Sequence, residues 1–389
     1  MKILITVASY YPNVDGVQNV TQYQAEGLAK LGHEVLVISS KHFLKNNYNN
    51  PDEEMHNGVR IIRVDAYKDF MINFGDKKGY QKLLEEYAPK VDVMMNVCPS
   101  NWNADWAFPL LDQLDCAKML MVHGTHDFRW RNFRDRSAYG MSRKIWGDIR
   151  MSLYFFNNWK NIKKYNAIAH LHEQDFAAQL FRRHGIEKEC ILYNAVDDQF
   201  FESDLKKENQ IINVGTFSRR KNQIACLKAF YKSKVLGWKL VLIGPSENRY
   251  YRELVRCKHN LERKYGHRDV EIMVGISRQE TITEIKRSKI YLLTSISEMF
   301  PVSLIEGMAA GCGWISTDVG ISQYLPGGKI CNTVSQMAEK IRAMVANNTW
   351  AELGRKGQCF AVENCKKDEQ VRKLESILLD AVEESKMKI

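Results

Sequence analysis

Short apolar runs alternate with longer stretches of helical period along the chain. KILITVAS (2–9), EVLVIS (34–39), RIIRV (60–64), VDVMMNV (91–97), KMLMV (118–122) and NAIAHL (166–171) are near-continuously apolar. That pattern predicts parallel strands covered on both faces. Between the first two, residues 17–31 predict a helix with Val17, Val20, Leu28 and Leu31 on one side. The polar stretch ESDLKKENQ (202–210) reads as a linker. The rhythm then restarts with IINVG (211–215), KLVLIG (239–244), VEIMVG (270–275), IYLLTS (290–295) and GWIST (313–317), each followed by a helical pattern. The expectation is an α/β chain of two doubly wound, Rossmann-like domains, 1–200 and 201–370, facing across a cleft.

Composition adds exclusions. The 389 residues are 45% apolar and 26% charged, ordinary globular usage. No run approaches the length of a membrane span. The N-terminal apolar run lacks a small-residue cleavage site and reads as a buried strand. Nine cysteines without a CxxC pair point to free thiols in a reducing cytoplasm and away from structural zinc. The chain carries +10, of which residues 126–164 contribute +7, ten Lys/Arg against three Asp. An anionic partner is one reading of that charge, and solubility is the plain one.

Ligands of open α/β sheets sit outside the carboxyl ends of strands. Those ends carry residues 10–16, His123-Gly124-Thr125, His172-Glu173, the segment from Gly215 to Lys221, Gly244-Pro245-Ser246, and the segment from Ser295 to Pro301. Neither GxGxxG after the first strand nor GxxxxGK[ST] is present, which disfavours a dinucleotide dehydrogenase or a P-loop nucleotidase.

The segment SISEMFPVSLIEGMAAGCGWIST (295–317) carries the most chemistry. Pro301 suits a first helical turn, and Gly311 can end the helix. Free N–H groups of Val302, Ser303 and Leu304 would form an anion site suited to a diphosphate. Glu298 lies in the loop before this helix and Glu306 inside it, where carboxylates can accept hydrogen bonds from vicinal hydroxyls. A solvated glutamate with a capping loop is the plain alternative. Arg219-Arg220-Lys221 would bring cations to the same phosphates, against the alternative of a solvated charge run.

These segments together resemble the retaining, nucleotide-sugar-dependent glycosyltransferases of family 4, with the GT-B fold, over roughly residues 3–370. YYPNVDGVQNVTQYQAEGLAKLGHEVLVIS is similar to the family's opening strand, glycine loop and first helix. MVHGTH is similar to its central histidine segment, and ILYNAVDDQF to its interdomain signature. NVGTFSRRKNQ is similar to its strand and basic loop, and SEMFPVSLIEGMAAG to its paired-glutamate motif. The resemblance implies that Gly16, in the loop after the first strand, lets the backbone approach the diphosphate or donor sugar, and that His123 sits by that sugar. It implies that Arg220 and Lys221 bind the diphosphate, with Gly215 before them. Glu298 would contact sugar hydroxyls, Phe300, Pro301, Val302 and Ser303 would present the backbone N–H groups, and Glu306 would hold the ribose. It further implies transfer with retained configuration, no cofactor and no metal; an obvious DxD loop is absent from the sequence. UDP is the nucleotide expected from family frequency, a glycan or lipid-linked anionic molecule the acceptor. A helix at about 371–389 is expected to pack back on the first domain. The chain departs from the family at Asp15, Ala195, Thr216, Met299 and Trp314.

Residues 127–165 interleave Arg and Lys with Trp130, Phe133, Trp146, Tyr154, Phe155 and Trp159. Ile145, Ile149, Leu153 and Phe156 follow helical spacing and are expected in the core. The surplus aromatics leave two readings, a packed helix with a charged rim or an anionic membrane surface on the cytoplasmic side. His170 and His172 read as packing or edge histidines rather than metal ligands. The competing functions are a nucleotide-sugar epimerase, a basic nucleic-acid-binding protein, disfavoured because no reader motif accompanies the charge, and a non-catalytic sugar-binding relative.

Overall fold

The computed structural model describes residues 1–389 apart from 14, 44–45, 48–49, 70–71, 131–137, 203–204 and 388–389. Phe133 therefore lies outside the described residues. The chain forms two units, one of residues 1–193 with 368–389 and one of residues 194–367.

In the first unit the elements run β1 (Lys2–Thr6), α1 (Gly16–Lys30), β2 (Glu34–Ser40), the short pair β3 (His42–Phe43) and β4 (Asn46–Asn47), β5 (Glu53–His56), β6 (Val59–Val64), β7 (Ala66–Asp69) and β8 (Ile72–Gly75). They continue through α2 (Lys77–Tyr87), β9 (Val93–Val97), α3 (Trp102–Asp105), β10 (Ala117–Val122), α4 (Ala138–Ile162), β11 (Ala167–His170), α5 (Phe176–Arg183) and β12 (Glu189–Ile191). The main sheet has the order β12-β11-β10-β9-β1-β2-β6-β5 and is parallel except for β5 on its edge. Ile3, Leu4 and Ile5 are fully buried, as continuous apolar strands between two helical layers must be.

The second unit runs β13 (Glu208–Val214), α6 (Gln223–Ser233), β14 (Lys239–Gly244), α7 (Arg249–Tyr265), β15 (Val270–Val274), α8 (Arg278–Arg287), β16 (Ser288–Leu293), α9 (Val302–Ala309), β17 (Gly313–Thr317), β18 (Gly328–Cys331), α10 (Val334–Ala346) and α11 (Trp350–Asn364). Its sheet is parallel throughout, in the order β15-β14-β13-β16-β17-β18. The strand order reverses between β13 and β16, which makes their carboxyl ends the natural ligand crevice. The closing helix α12 (Lys367–Lys386) packs on the first unit: Glu375 meets His33 at 2.6 Å, and Val371 lies where any side chain on Gly27 of α1 would have to go.

Four sequence expectations are corrected. The stretch 202–210 is not a linker to its end, because Glu208–Gln210 already belong to β13. Gln210 is buried there, with its amide nitrogen 3.0 Å from Ser288 Oγ. The units meet instead at 193/194 and 367/368. Leu31 caps α1 and is exposed, so the helix buries Val20, Thr21, Gln24, Ala25 and Leu28. Gly16 is not in the loop but is the first residue of α1. The carboxylate of Asp15 accepts the Gln18 N–H at 2.9 Å and caps the helix. The stripe Ile145, Ile149, Leu153 and Phe156 is not core: all four are exposed. The reason is that α4 has two apolar faces. The other, with Met151, Phe155 and Ile162, packs on the unit, Phe155 meeting Phe181 of α5 at a ring distance of 5.9 Å. The short strands β5, β7, β8, β12 and β18 add to the strands the sequence predicts.

Candidate functional site

The chemistry of the second unit gathers where its strand order reverses. Gly215 directly follows β13, its N–H donating to Ile243 O at 3.0 Å. The stem of Lys221 runs over its open face, at 3.5–3.6 Å from where a Cβ would sit. The basic loop is tied down on both sides. Its Lys221 N–H reaches Ser218 Oγ at 3.2 Å, and the Gln223 side chain donates to Gly215 O and Thr216 O. Thr294 Oγ1 donates to Lys221 O at 3.1 Å and the Ile296 N–H to Arg220 O at 2.7 Å. The loop after β13 and the loop after β16 are therefore one hydrogen-bonded body.

Glu298 is held by that body. Its Oε1 lies 2.6 Å from Lys221 Nζ and its Oε2 3.3 Å from Arg220 Nη1, which also donates to Ser297 O at 3.2 Å. Its carboxylate is nearly buried while Arg220 is exposed, so Lys221 is the screened partner and Arg220 the rim one. Gly320 supports the same loop from behind. Its φ is +54°, and a Cβ there would stand 2.2 Å from Met299 O and 2.9 Å from Glu298 O.

α9 starts four residues on. Pro301 caps it and its carbonyl accepts the Leu304 N–H at 2.9 Å. Leu304 is therefore not one of the free donors the sequence reading expects. The amides of Val302 and Ser303 donate to no partner among the described residues, which leaves two N–H groups at the positive end of the helix dipole. Phe300 and Pro301 are buried, so they seat this turn rather than face solvent. Gly307 lies against the Tyr291 ring, 2.7 Å from a Cβ placed there, which draws α9 close onto β16.

Glu306, one turn further on, is buried and carries a partner the sequence reading missed. Arg278 Nη2 lies 2.6 Å from Glu306 Oε1 and 3.0 Å from Asp197 Oδ2, and Lys367 Nζ lies 2.6 Å from Asp197 Oδ1. Arg278 is the first residue of α8, whose Ser277–Glu280 capping box fixes it, and its guanidinium lies 5.1 Å above the Phe200 ring. Burial pushes the Glu306 carboxyl above the ordinary range, and Arg278 pulls it partly back. For Asp197 burial also pushes upward, but Lys367 and Arg278 outweigh it and hold the group below the usual range. The signal for Arg278 was present in GISRQE, a basic residue just after a strand end, yet nothing local tied it to Glu306.

Gly16 and His123 belong to the first unit. Gly16 is exposed with nothing within 4 Å of a Cβ position, so no steric demand there requires glycine. Because Asp15 already occupies the Gln18 N–H, a carboxylate stands at the N-terminus of α1. His123 follows β10. Its Nε2 is buried without a partner among the described residues, and burial pushes its imidazole down to about 4, so it is neutral at pH 7. His170 is buried edge-on to Phe181 at 5.0 Å, and His172 Nδ1 accepts the Gln174 N–H at 2.9 Å. All nine cysteines are free. Among the described residues, no helix is long and apolar enough to cross a membrane.

Residues 195–348 match the family of glycosyl transferases group 1. The chain is 22% identical over 359 residues to a phosphatidylinositol N-acetylglucosaminyltransferase subunit of Arabidopsis thaliana, covering 88% of this chain and 73% of that protein. Among solved structures, sucrose-phosphate synthase of Thermosynechococcus elongatus superimposes with a TM-score of 0.69 at 16% identity, covering 97% of this chain and 98% of the other. HepE of Anabaena, solved in complex with UDP, gives 0.71 at 12% identity, covering 97% and 99%. These likenesses place the fold in the GT-B class.

Proposed function

We propose, from the premise that this chain is a group 1 glycosyltransferase of family 4 type with the GT-B fold, that it moves a sugar from a nucleotide-sugar to a glycan or lipid-linked anionic acceptor. The donor is read as a UDP-sugar, the anomeric configuration as retained, and the reaction as needing no metal or cofactor. The place of action is the cytoplasm, in the synthesis of a cell-surface polysaccharide or glycoconjugate. HepE binds UDP on the same fold, which supports the choice of nucleotide.

The observation that carries the reading is the convergence of Lys221 and Arg220 on Glu298 beside the two open amides of α9, with Glu306 on the same helix. Breaking a glycosyl–phosphate bond develops cationic character on the sugar and negative charge on the departing diphosphate. The Val302 and Ser303 N–H groups, Lys221 and Arg220 meet that negative charge with dipoles and cations already in place. Glu298, anchored by Lys221, accepts hydrogen bonds from sugar hydroxyls, and Glu306, anchored by Arg278, accepts those of the ribose. His123, neutral at pH 7, would offer a hydrogen bond rather than a charge.

The test is a thermal-shift panel of UDP-, GDP- and ADP-sugars, followed by NMR of the product formed with acceptor. A donor at a hundred times its Kd adds about 2.7 kcal/mol. One stabilising nucleotide-sugar and an acceptor-dependent product of retained configuration are expected. No shift with any of the three, or conversion of the donor without acceptor, would overturn the reading.

A further inference from the structure

Among the described residues, nothing covers the outward face of α4. Trp146 is 67% exposed, Ile149 50%, Leu153 57% and Phe156 79%, and Ile145 and Met141 continue the stripe toward the N-terminus. The i, i+4 and i, i+3 spacing puts these side chains on one face, from 141 to 156, roughly 23 Å of helix. Single exposed apolar residues are ordinary, but a contiguous file of large ones on one helix marks an interaction surface.

Charge identifies what covers it. Asp148 is the sole acidic residue of α4, and it is turned inward, bonded to Lys144, to His126 at 2.6 Å and to Trp130 Nε1 at 3.0 Å. Arg150 turns toward the protein, its guanidinium on the sulfur of the buried Met151, whereas Arg143, Lys160 and, just past the helix, Lys163 are exposed cations along and beyond the apolar stripe. A second copy of this face would set these cations against themselves in any two-fold pairing. A soluble cationic face needs no file of Ile, Leu, Phe and Trp. An apolar stripe with an exposed Trp, no acidic residue and a cationic rim matches the boundary layer of an anionic bilayer, where such helices lie in the plane of the headgroups.

We propose that α4 docks the protein on an anionic lipid surface, with Ile145, Ile149, Leu153 and Phe156 entering the headgroup–acyl boundary, Trp146 at its level, and Arg143, Lys160 and Lys163 facing lipid phosphates. This goes beyond the transfer reaction and does not depend on which donor or acceptor is used. Each cation near the surface contributes about a five-fold factor in partitioning, and the apolar file supplies the rest.

The test is flotation of the full chain with vesicles of phosphatidylcholine alone and with vesicles also containing phosphatidylglycerol, at low and high salt. Binding to the anionic vesicles at low salt is expected, weakened by salt. Lys160→Gln and Lys163→Gln are each expected to lower partitioning about five-fold, and Ile149→Ser with Phe156→Ser to abolish it. All these positions lie on the outer side of the helix, and an unchanged thermal unfolding curve shows that each variant is folded. Protein that stays with the soluble fraction at low salt sinks the proposal. So does equal binding to both vesicle types, or binding that survives Ile149→Ser with Phe156→Ser. A dimer in sedimentation velocity that those same substitutions dissociate would assign the face to a second copy instead.

Discussion

Lys221 and Glu298, 77 residues apart, form a 2.6 Å ion pair in which both side chains are largely screened from water. In the proposed reaction the pair would set a donor-side carboxylate and a phosphate-side cation in one geometry before any ligand arrives. Lys221→Ala removes the cation that the proposed function aims at the departing diphosphate and leaves Glu298 to Arg220, on the solvent side. The expected outcome is a fall in kcat of roughly 100- to 1,000-fold, about 3–4 kcal/mol, with the fold retained by circular dichroism. Lys221→Arg keeps the charge and should recover part of the loss. An undiminished Lys221→Ala enzyme would remove this residue from the site.

Arg278 and Glu306 make a second pair with a different readout. Glu306 is buried, and its carboxyl is already raised above its ordinary value of 4.5. A raised acid binds its proton more tightly in the folded state, so stability falls as pH rises from 4.5 through the raised value. Arg278→Met removes the cation that pulls the carboxyl back, which widens that window upward. The expected result is a donor KM that climbs on acidification at a higher pH than in the wild type, with kcat much less affected. Asp197 behaves oppositely. Held below 3.8 by Lys367 and Arg278, it contributes stability above that value which is lost as pH falls through its lower folded value. Identical KM–pH profiles for Arg278→Met and wild type would show that the pair does not govern the carboxylate proposed to hold the ribose.

Gly320 tests the support of the Glu298 loop. Its φ of +54° is unfavourable for other residues, and a methyl group would collide with Met299 O and Glu298 O. Gly320→Ala is expected to destabilise the protein by roughly 1–3 kcal/mol and to lower kcat further than stability alone explains, because Glu298 is displaced. A thermal melt with parallel kinetics separates the two. Gly16→Ala is the contrast, since its Cβ meets nothing within 4 Å, and a near-neutral effect on stability is expected.

What the sequence shows of this site follows the range of its interactions. The start of α9 is legible because Pro301 and the apolar run after it act within one turn, and the helix spans Val302–Ala309 as the spacing implies. Lys221 and Glu298 are legible because each lies in the loop that follows a strand, before the next helix. Arg278 and Lys367 are not, because their partners lie 28, 81 and 170 residues away, and only the sheet order brings them together. α4 shows the limit of periodicity. Both its faces carry apolar residues at helical spacing, and which of them meets protein depends on Phe181 of α5 packing edge-on to Phe155, an outcome no helical wheel contains. The Leu304 amide is a finer case: the sequence marks a helix start but not that Pro301 O closes onto the third N–H.

His123 gives the last prediction. Its imidazole is pushed by burial from 6.5 down to about 4, and its Nε2 finds no hydrogen-bond partner among the described residues. The unfolded chain therefore binds a proton between those two values that the folded protein refuses. The stability this group contributes is complete above 6.5 and is lost as pH falls toward 4. His123→Asn keeps a neutral polar side chain and removes the titration. The variant is expected to lose less stability than the wild type between pH 6.5 and 4, read as a smaller fall in melting temperature. Its kcat should also lack any acid limb assignable to an imidazole near 6.5, because the wild-type group is already neutral there. An acid limb near 6.5 in the wild type that His123→Asn abolishes would mean that the imidazole is charged in the working enzyme, and its role would then be that of a cation or proton donor.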